Sequence, residues 1–128
     1  MKTVLIAEDN ELLANLWKNA LRGSDCQVHV ARDGEQAMAI ADRVNPDVVL
    51  MDIMMPKVDG LEAARNILAR NPKTRLVFVS CLARSADIEE AHRMRAAEFL
   101  VKGRFSVQSL VDRVGRLLDD RKYYYPQF

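Results

Sequence analysis

Five short apolar runs, each followed by a stretch of helical periodicity, constrain this chain more than any other feature. The first run, Thr3-Val4-Leu5-Ile6-Ala7, is short and rich in β-branched residues, the pattern of a buried strand. Leu12, Leu13, Leu16, Trp17, Ala20 and Leu21 then fall on one helical face. The cycle repeats with Cys26 to Val30 as strand, Asp33 to Val44 as helix, and Asp47-Val48-Val49-Leu50-Met51 as an apolar strand, with Asn45-Pro46 as the break. Asp59 followed by Glu62 has capping-box spacing and predicts a third helix running to about Asn71-Pro72. Leu76-Val77-Phe78-Val79 is the fourth strand. Asp87, Glu89 and Glu90 suit the positive start of a fourth helix, Glu98 to Val101 gives a fifth strand, and Val107, Leu110, Val111, Val114, Leu117 and Leu118 stripe a last helix.

Strands without polar alternation, each followed by a helix, imply a parallel sheet covered on both faces by right-handed crossovers. The predicted class is doubly wound α/β with a five-stranded sheet. A chain of 128 residues that is 49% hydrophobic suffices for one such core. The expected division is a single domain over residues 1–122 and a tail over 123–128 that holds Tyr123, Tyr124, Tyr125 and Phe128. That tail reads first as a frayed or cut-off segment.

Lys and Arg total 19 against 18 Asp and Glu, a net charge of +1 that gives no field for gathering nucleic acid or an anionic membrane. Direct DNA binding and membrane association are therefore not expected. Cys26 and Cys81 lack metal-ligand spacing and the density of a disulfide scaffold, so both read as reduced, buried thiols of a cytoplasmic protein. No apolar run approaches the roughly 18 residues of a membrane span, and MKTVLIAEDN places carboxylates where a signal peptide stays apolar.

In open α/β sheets ligands bind outside the carboxyl ends of the strands. Those ends are polar here: Glu8-Asp9 after the first strand, Asp52 after the third, Ser80 after the fourth and Lys102 after the fifth. Three carboxylates converging on one pocket repel one another and resist burial, so they predict a shared hard cation. Mg²⁺ fits best, because it takes one or two protein carboxylates, keeps waters and completes its shell with a phosphate oxygen; Mn²⁺ is the alternative. With one hydroxyl and one ammonium added, the set suits phosphoryl transfer, and an Asp can itself be the nucleophile. Asp52 is the best candidate, since Glu8 and Asp9 are adjacent and can hold the metal beside it. Lys102 and Ser80 would grip the phosphoryl oxygens.

Glu8-Asp9, the run Met51-Asp52-Ile53-Met54-Met55-Pro56-Lys57-Val58-Asp59-Gly60, Ser80 and Phe99-Leu100-Val101-Lys102 closely resemble the receiver domains of two-component signalling. The resemblance spans essentially the whole chain and implies a flavodoxin-like (βα)5 fold with strand order 2-1-3-4-5. It also implies that Asp52 accepts phosphate from a phosphohistidine on a histidine kinase or phosphotransfer protein. Asp9, Asp52 and the Met54 carbonyl would bind Mg²⁺, with Glu8 acting through metal-bound water. Ser80 and Phe99 would be the switch pair, coupling the pocket to a downstream protein through the face of the fourth helix, fifth strand and fifth helix. The same resemblance implies a monomer or a phosphorylation-dependent dimer, with self-phosphorylation and autodephosphorylation but no turnover of external substrates.

Three positions depart from the family pattern. Gly103 stands where a proline usually follows the lysine in a cis peptide, which predicts a trans bond or a reshaped loop. Cys81 is larger than the usual residue after Ser80 and narrows the expected path to the pocket. Arg95 replaces a glycine before the fifth strand, where a positive φ would be strained. These departures sustain an alternative, a degenerate receiver that binds partners independently of phosphorylation. A flavodoxin-like carrier fits less well, because it needs a Ser/Thr/Gly-rich loop after the first strand, and Glu8-Asp9-Asn10-Glu11 would repel a phosphate without a bridging metal; a small-molecule phosphohydrolase lacks room for a substrate-capping insertion. His29 and His92 read as structural or surface residues. Trp17 reads as helix-to-sheet core, and Met51, Met54 and Met55 as sheet core and loop packing.

Overall fold

The computed structural model describes residues 1–121, so the aromatic tail expected at 123–128 and the last residue of the expected domain lie outside the described residues. In chain order the elements are β1 (Lys2–Ala7), α1 (Glu11–Leu21), β2 (Cys26–Ala31), α2 (Gly34–Val44), β3 (Val48–Asp52), α3 (Gly60–Arg70), β4 (Arg75–Ser80), α4 (Ser85–Arg93), β5 (Glu98–Val101) and α5 (Val107–Leu118). The sheet is parallel throughout, in the order β2-β1-β3-β4-β5.

Alternation along each central strand divides the core in two. Leu5 and Ala7 of β1, Val49 and Met51 of β3, and Leu76 and Phe78 of β4 pack with Ala37 and Ala41 of α2, Ala63, Ala64 and Ile67 of α3, and Ala91 of α4. Val4, Ile6, Val48, Leu50, Val77 and Val79 point the other way, onto Trp17 and Leu21 of α1 and Leu110, Val114 and Leu117 of α5. Both faces are thus covered, which is why these strands carry no polar residues until their ends. Each fully buried Leu, Ile or Phe contributes roughly 1.5–3 kcal/mol toward holding the layers together.

Helix starts follow the sequence closely. Asn10, Asp33, Asp59 and Ser106 each accept a hydrogen bond from the backbone N–H three residues on, at 2.8–3.0 Å. Asp33 is therefore the cap of α2 and not its first helical residue. Trp17 is buried as expected, with its ring centroid 6.3 Å from that of Phe105.

Two expectations need correction. Cys81 is exposed and Cys26 half-buried; Cys81 lies one residue past the end of β4, where the chain has already left the sheet. Met51 and Met55 are buried, but the Met54 side chain is 54% exposed at the surface of the β3–α3 loop. Arg95 does adopt a positive φ, at 57°, and Lys102–Gly103 is trans with Gly103 at φ 83°.

Candidate functional site

Parallel strands deliver their carboxyl ends to one edge of the molecule, so four sequence-distant polar segments meet there. Carboxylate oxygens of Glu8, Asp9 and Asp52 lie within 4.8 Å of one another; Glu8 and Asp52 are buried and Asp9 is exposed. Lys102 enters from the end of β5, placing Nζ 2.7 Å from Glu8 Oε1 and 3.1 Å from Asp52 Oδ2. Asp52 Oδ1 accepts the Met54 N–H at 3.1 Å, and Glu8 Oε2 accepts the Asn10 N–H at 3.0 Å.

Each group is fixed by local structure. Asn10 orders the turn after β1 because its side chain caps α1. Gly60 lets α3 approach the end of β3: its N–H donates to the Ile53 carbonyl at 2.8 Å, and a Cβ there would lie 2.1 Å from the Asp52 carbonyl oxygen. Ser80 ends β4, the strand beside Asp52; its buried Oγ accepts the Leu82 N–H at 3.2 Å, and its carbonyl takes the Lys102 N–H at 2.9 Å. Phe99 is half-buried on β5, paired in register with Phe78 and packed against the α2–α3–α4 side of the core.

Electrostatics follow from this crowding. Burial pushes the Glu8 carboxyl up to about 7, against the opposing pull of the Lys102 ammonium and the Asn10 amide, with the Asp52 charge adding to the rise. Burial pulls the Lys102 ammonium down, but Glu8 and Asp52 together outweigh it and hold the group above the ordinary lysine value. Three carboxylates share one ammonium, which leaves two negative charges unbalanced when all three ionise. Glu8 Oε1 is buried and faces the Lys102 ammonium at 2.7 Å. Excess negative charge and an all-oxygen donor set fit a hard divalent cation such as Mg²⁺.

Of the residues singled out in the sequence, Glu8, Asp9, Asp52 and Lys102 form one cluster. Ser80 stands at the adjacent strand end, and the Met54 backbone is tied to Asp52. An open groove lined by Asp9, Met54, Met55, Pro56, Arg84 and Asp87 lies alongside. The sequence reading missed Asn10 as the partner of Glu8, and it missed Gly34. A Cβ at Gly34 would sit 1.9 Å from the Val58 carbonyl oxygen, so α2 is pressed against the β3–α3 loop. The repeated Asp-Gly at 33–34 and 59–60, each a cap followed by a close approach, was the available signal.

The family model for the response regulator receiver domain matches residues 4–115, and the chain belongs to that family. The chemotaxis protein CheY of Listeria monocytogenes is 34% identical over 103 residues, covering 80% of this chain and 87% of its own length. The transcriptional regulatory protein TrcR of Mycobacterium tuberculosis is 37% identical over 115 residues, covering 90% of this chain but only 44% of TrcR. The chain therefore spans less than half of that relative. Among solved structures, the receiver domain of the Francisella response regulator 1452 superposes with a TM-score of 0.80 at 28% identity, covering 92% of this chain and 97% of that one. A CheY-like receiver domain from Methanospirillum hungatei, at 19% identity and a TM-score of 0.89, shares the fold. Receiver domains belong to signalling proteins that work with histidine kinases or phosphotransfer proteins, and this chain is a receiver domain.

Proposed function

We propose that this receiver is a phosphorylation switch in which Asp52 is the phosphoacceptor. The observation that carries the reading is the cluster itself: Glu8, Asp9 and Asp52 within 4.8 Å, with the Lys102 ammonium bridging Glu8 and Asp52. Asp9, Asp52 and the Met54 carbonyl would hold Mg²⁺, with Glu8 supporting it through a water. When bound, the ion neutralises negative charge on the carboxylates and on the incoming phosphoryl oxygens.

Everything else is done by side chains of the chain. An Asp52 carboxylate oxygen attacks phosphorus, and the P–N bond of the donor's phosphohistidine breaks with its electron pair leaving on the imidazole. Lys102 already sits 3.1 Å from Asp52 Oδ2 and is held charged by its neighbours, so it can pair with a phosphoryl oxygen. The Met54 N–H holds the other Asp52 oxygen and orients the carboxylate. Ser80 gives up its contact with the Leu82 amide to reach the phosphoryl group, and Phe99 turns inward behind it. The α4–β5–α5 face then changes its affinity for a downstream protein.

Peptide mapping tests the assignment. The chain is treated with acetyl phosphate and Mg²⁺, the acyl phosphate is reduced with borohydride, and the modified position is located by mass. Reduction product at position 52 alone supports the reading; product elsewhere, or none, contradicts it. The degenerate, binding-only module is the reading that an absence of product would favour.

A further inference from the structure

The β3–α3 loop, which starts at the acceptor carboxylate, contains a backbone strain that nothing within the loop explains. Lys57 has φ 68°, and the turn around it is closed by the Val58 N–H donating to the Pro56 carbonyl at 2.9 Å. Three-residue turns with positive φ are rare, and a non-glycine residue in one is strained and persists where its surroundings over-determine it. Those surroundings are the amino end of α2. Gly34 N–H points at the same Pro56 carbonyl at 3.5 Å, and the Val58 carbonyl occupies the space a Cβ on Gly34 would fill. The Lys57 ammonium lies 3.7 Å from Asp33 Oδ2, while Asp33 Oδ1 caps α2 through the Gln36 N–H at 2.8 Å. Asp33 is buried and Lys57 largely exposed.

We infer that Gly34, with Asp33, is a positioning element for the metal and phosphoryl site, acting through the strained Lys57 turn on the Met54 backbone. The loop is pinned at three places: Met54 N–H on Asp52 Oδ1, Gly60 N–H on the Ile53 carbonyl, and the Pro56–Val58 turn on α2. The first two fix its ends. The third fixes its middle, and with it the direction of the Met54 carbonyl, which the proposed function makes a metal ligand. A helix on the far side of the loop thereby sets coordination geometry without touching the ion. The inference rests on that reading of Met54.

Amide NMR on Gly34→Ala and Asp33→Asn, first without metal and then through a Mg²⁺ titration, tests it. Asparagine caps a helix as well as aspartate does, so Asp33→Asn removes only the contact with Lys57. Without metal, Gly34→Ala is expected to shift the amides of Asp52, Met54 and Met55 while leaving Lys102 in place. With metal, its Mg²⁺ dissociation constant is expected to rise at least about tenfold, the usual cost of losing an outer partner of a metal ligand. Asp33→Asn should raise the constant by about two- to threefold, as an ion pair exposed at its lysine end allows.

A folded Gly34→Ala with wild-type Met54 shifts, or with an unchanged Mg²⁺ constant, overturns the inference. If Gly34→Ala does not fold, an Asp33→Asn indistinguishable from wild type in both readouts overturns it too. Displaced Met54 amides in metal-free Gly34→Ala, alongside a wild type that binds no Mg²⁺, would sink the assigned metal role while upholding the mechanical link.

Discussion

Glu8 is the residue whose protonation most directly reports the crowding at the strand ends. Its folded pKa of about 7 stands above an ordinary 4.5, so the folded chain keeps a proton that the unfolded chain releases in that interval. The stabilising contribution is complete below about pH 4.5 and is lost as pH rises to about 7. Denaturant unfolding without Mg²⁺ should show this loss as a difference between wild type and Glu8→Gln, whose stability should depend less on pH across the same window. Mg²⁺ competes with that proton, so metal affinity should climb with pH up to about 7 and then level, as titration calorimetry would record. Asp52→Asn removes one of three mutually repelling charges; in metal-free buffer it should raise stability in chemical denaturation by about 1 kcal/mol, the repulsion of two unit charges roughly 4 Å apart in water. Chain order made Glu8, Asp9, Asp52, Ser80 and Lys102 legible as candidates, because each interrupts an apolar run. Cys81 and Met54 were misjudged in burial, since composition does not say which side of a loop faces water.

At the scale of elements, the strands and the Asp59 cap were readable because local chemistry and tertiary placement agree, whereas the caps at Asn10, Asp33 and Ser106 appear only in the structure. Capping side chains at Asn10, Asp33, Asp59 and Ser106 each begin a helix. What could not be read is close approach between elements, which depends on a neighbour's backbone and not on a residue's own pattern. Gly60 and Gly115 make the contrast. Gly60→Ala would drive a Cβ into the Asp52 carbonyl and should cost about 3 kcal/mol in chemical denaturation, with the acceptor displaced. Gly115 lies inside α5 with open space where a Cβ would stand, so Gly115→Ala should raise stability by about 0.5–1 kcal/mol through helix propensity alone.

Across the whole molecule, the sheet joins two events that the sequence places far apart. Lys102 and Phe99 belong to one segment, β5 and the residue after it, and the Ser80 carbonyl accepts the Lys102 N–H; in the proposed function this is the route by which a shift at the acceptor would reach the α4–β5–α5 side. Ser80→Ala should therefore still take up a phosphoryl group but lose the phosphorylation-dependent change in partner affinity, measured by titrating the partner against both forms. Strand order 2-1-3-4-5 was legible only through resemblance to receiver domains; the alternation of elements restricts it to doubly wound sheets but does not choose among them. The partner itself was not legible, because a recognition surface has no periodicity to betray it.

The central claim, that Asp52 takes up a phosphoryl group with the help of a divalent cation, is tested most directly by intact mass. Wild type and Asp52→Asn are incubated with a small-molecule phosphodonor, with Mg²⁺ or with chelator. Gain of a single phosphoryl group by wild type in Mg²⁺ only, and by neither protein otherwise, is the expected result. Equal gain in chelator, or in Asp52→Asn, would contradict it.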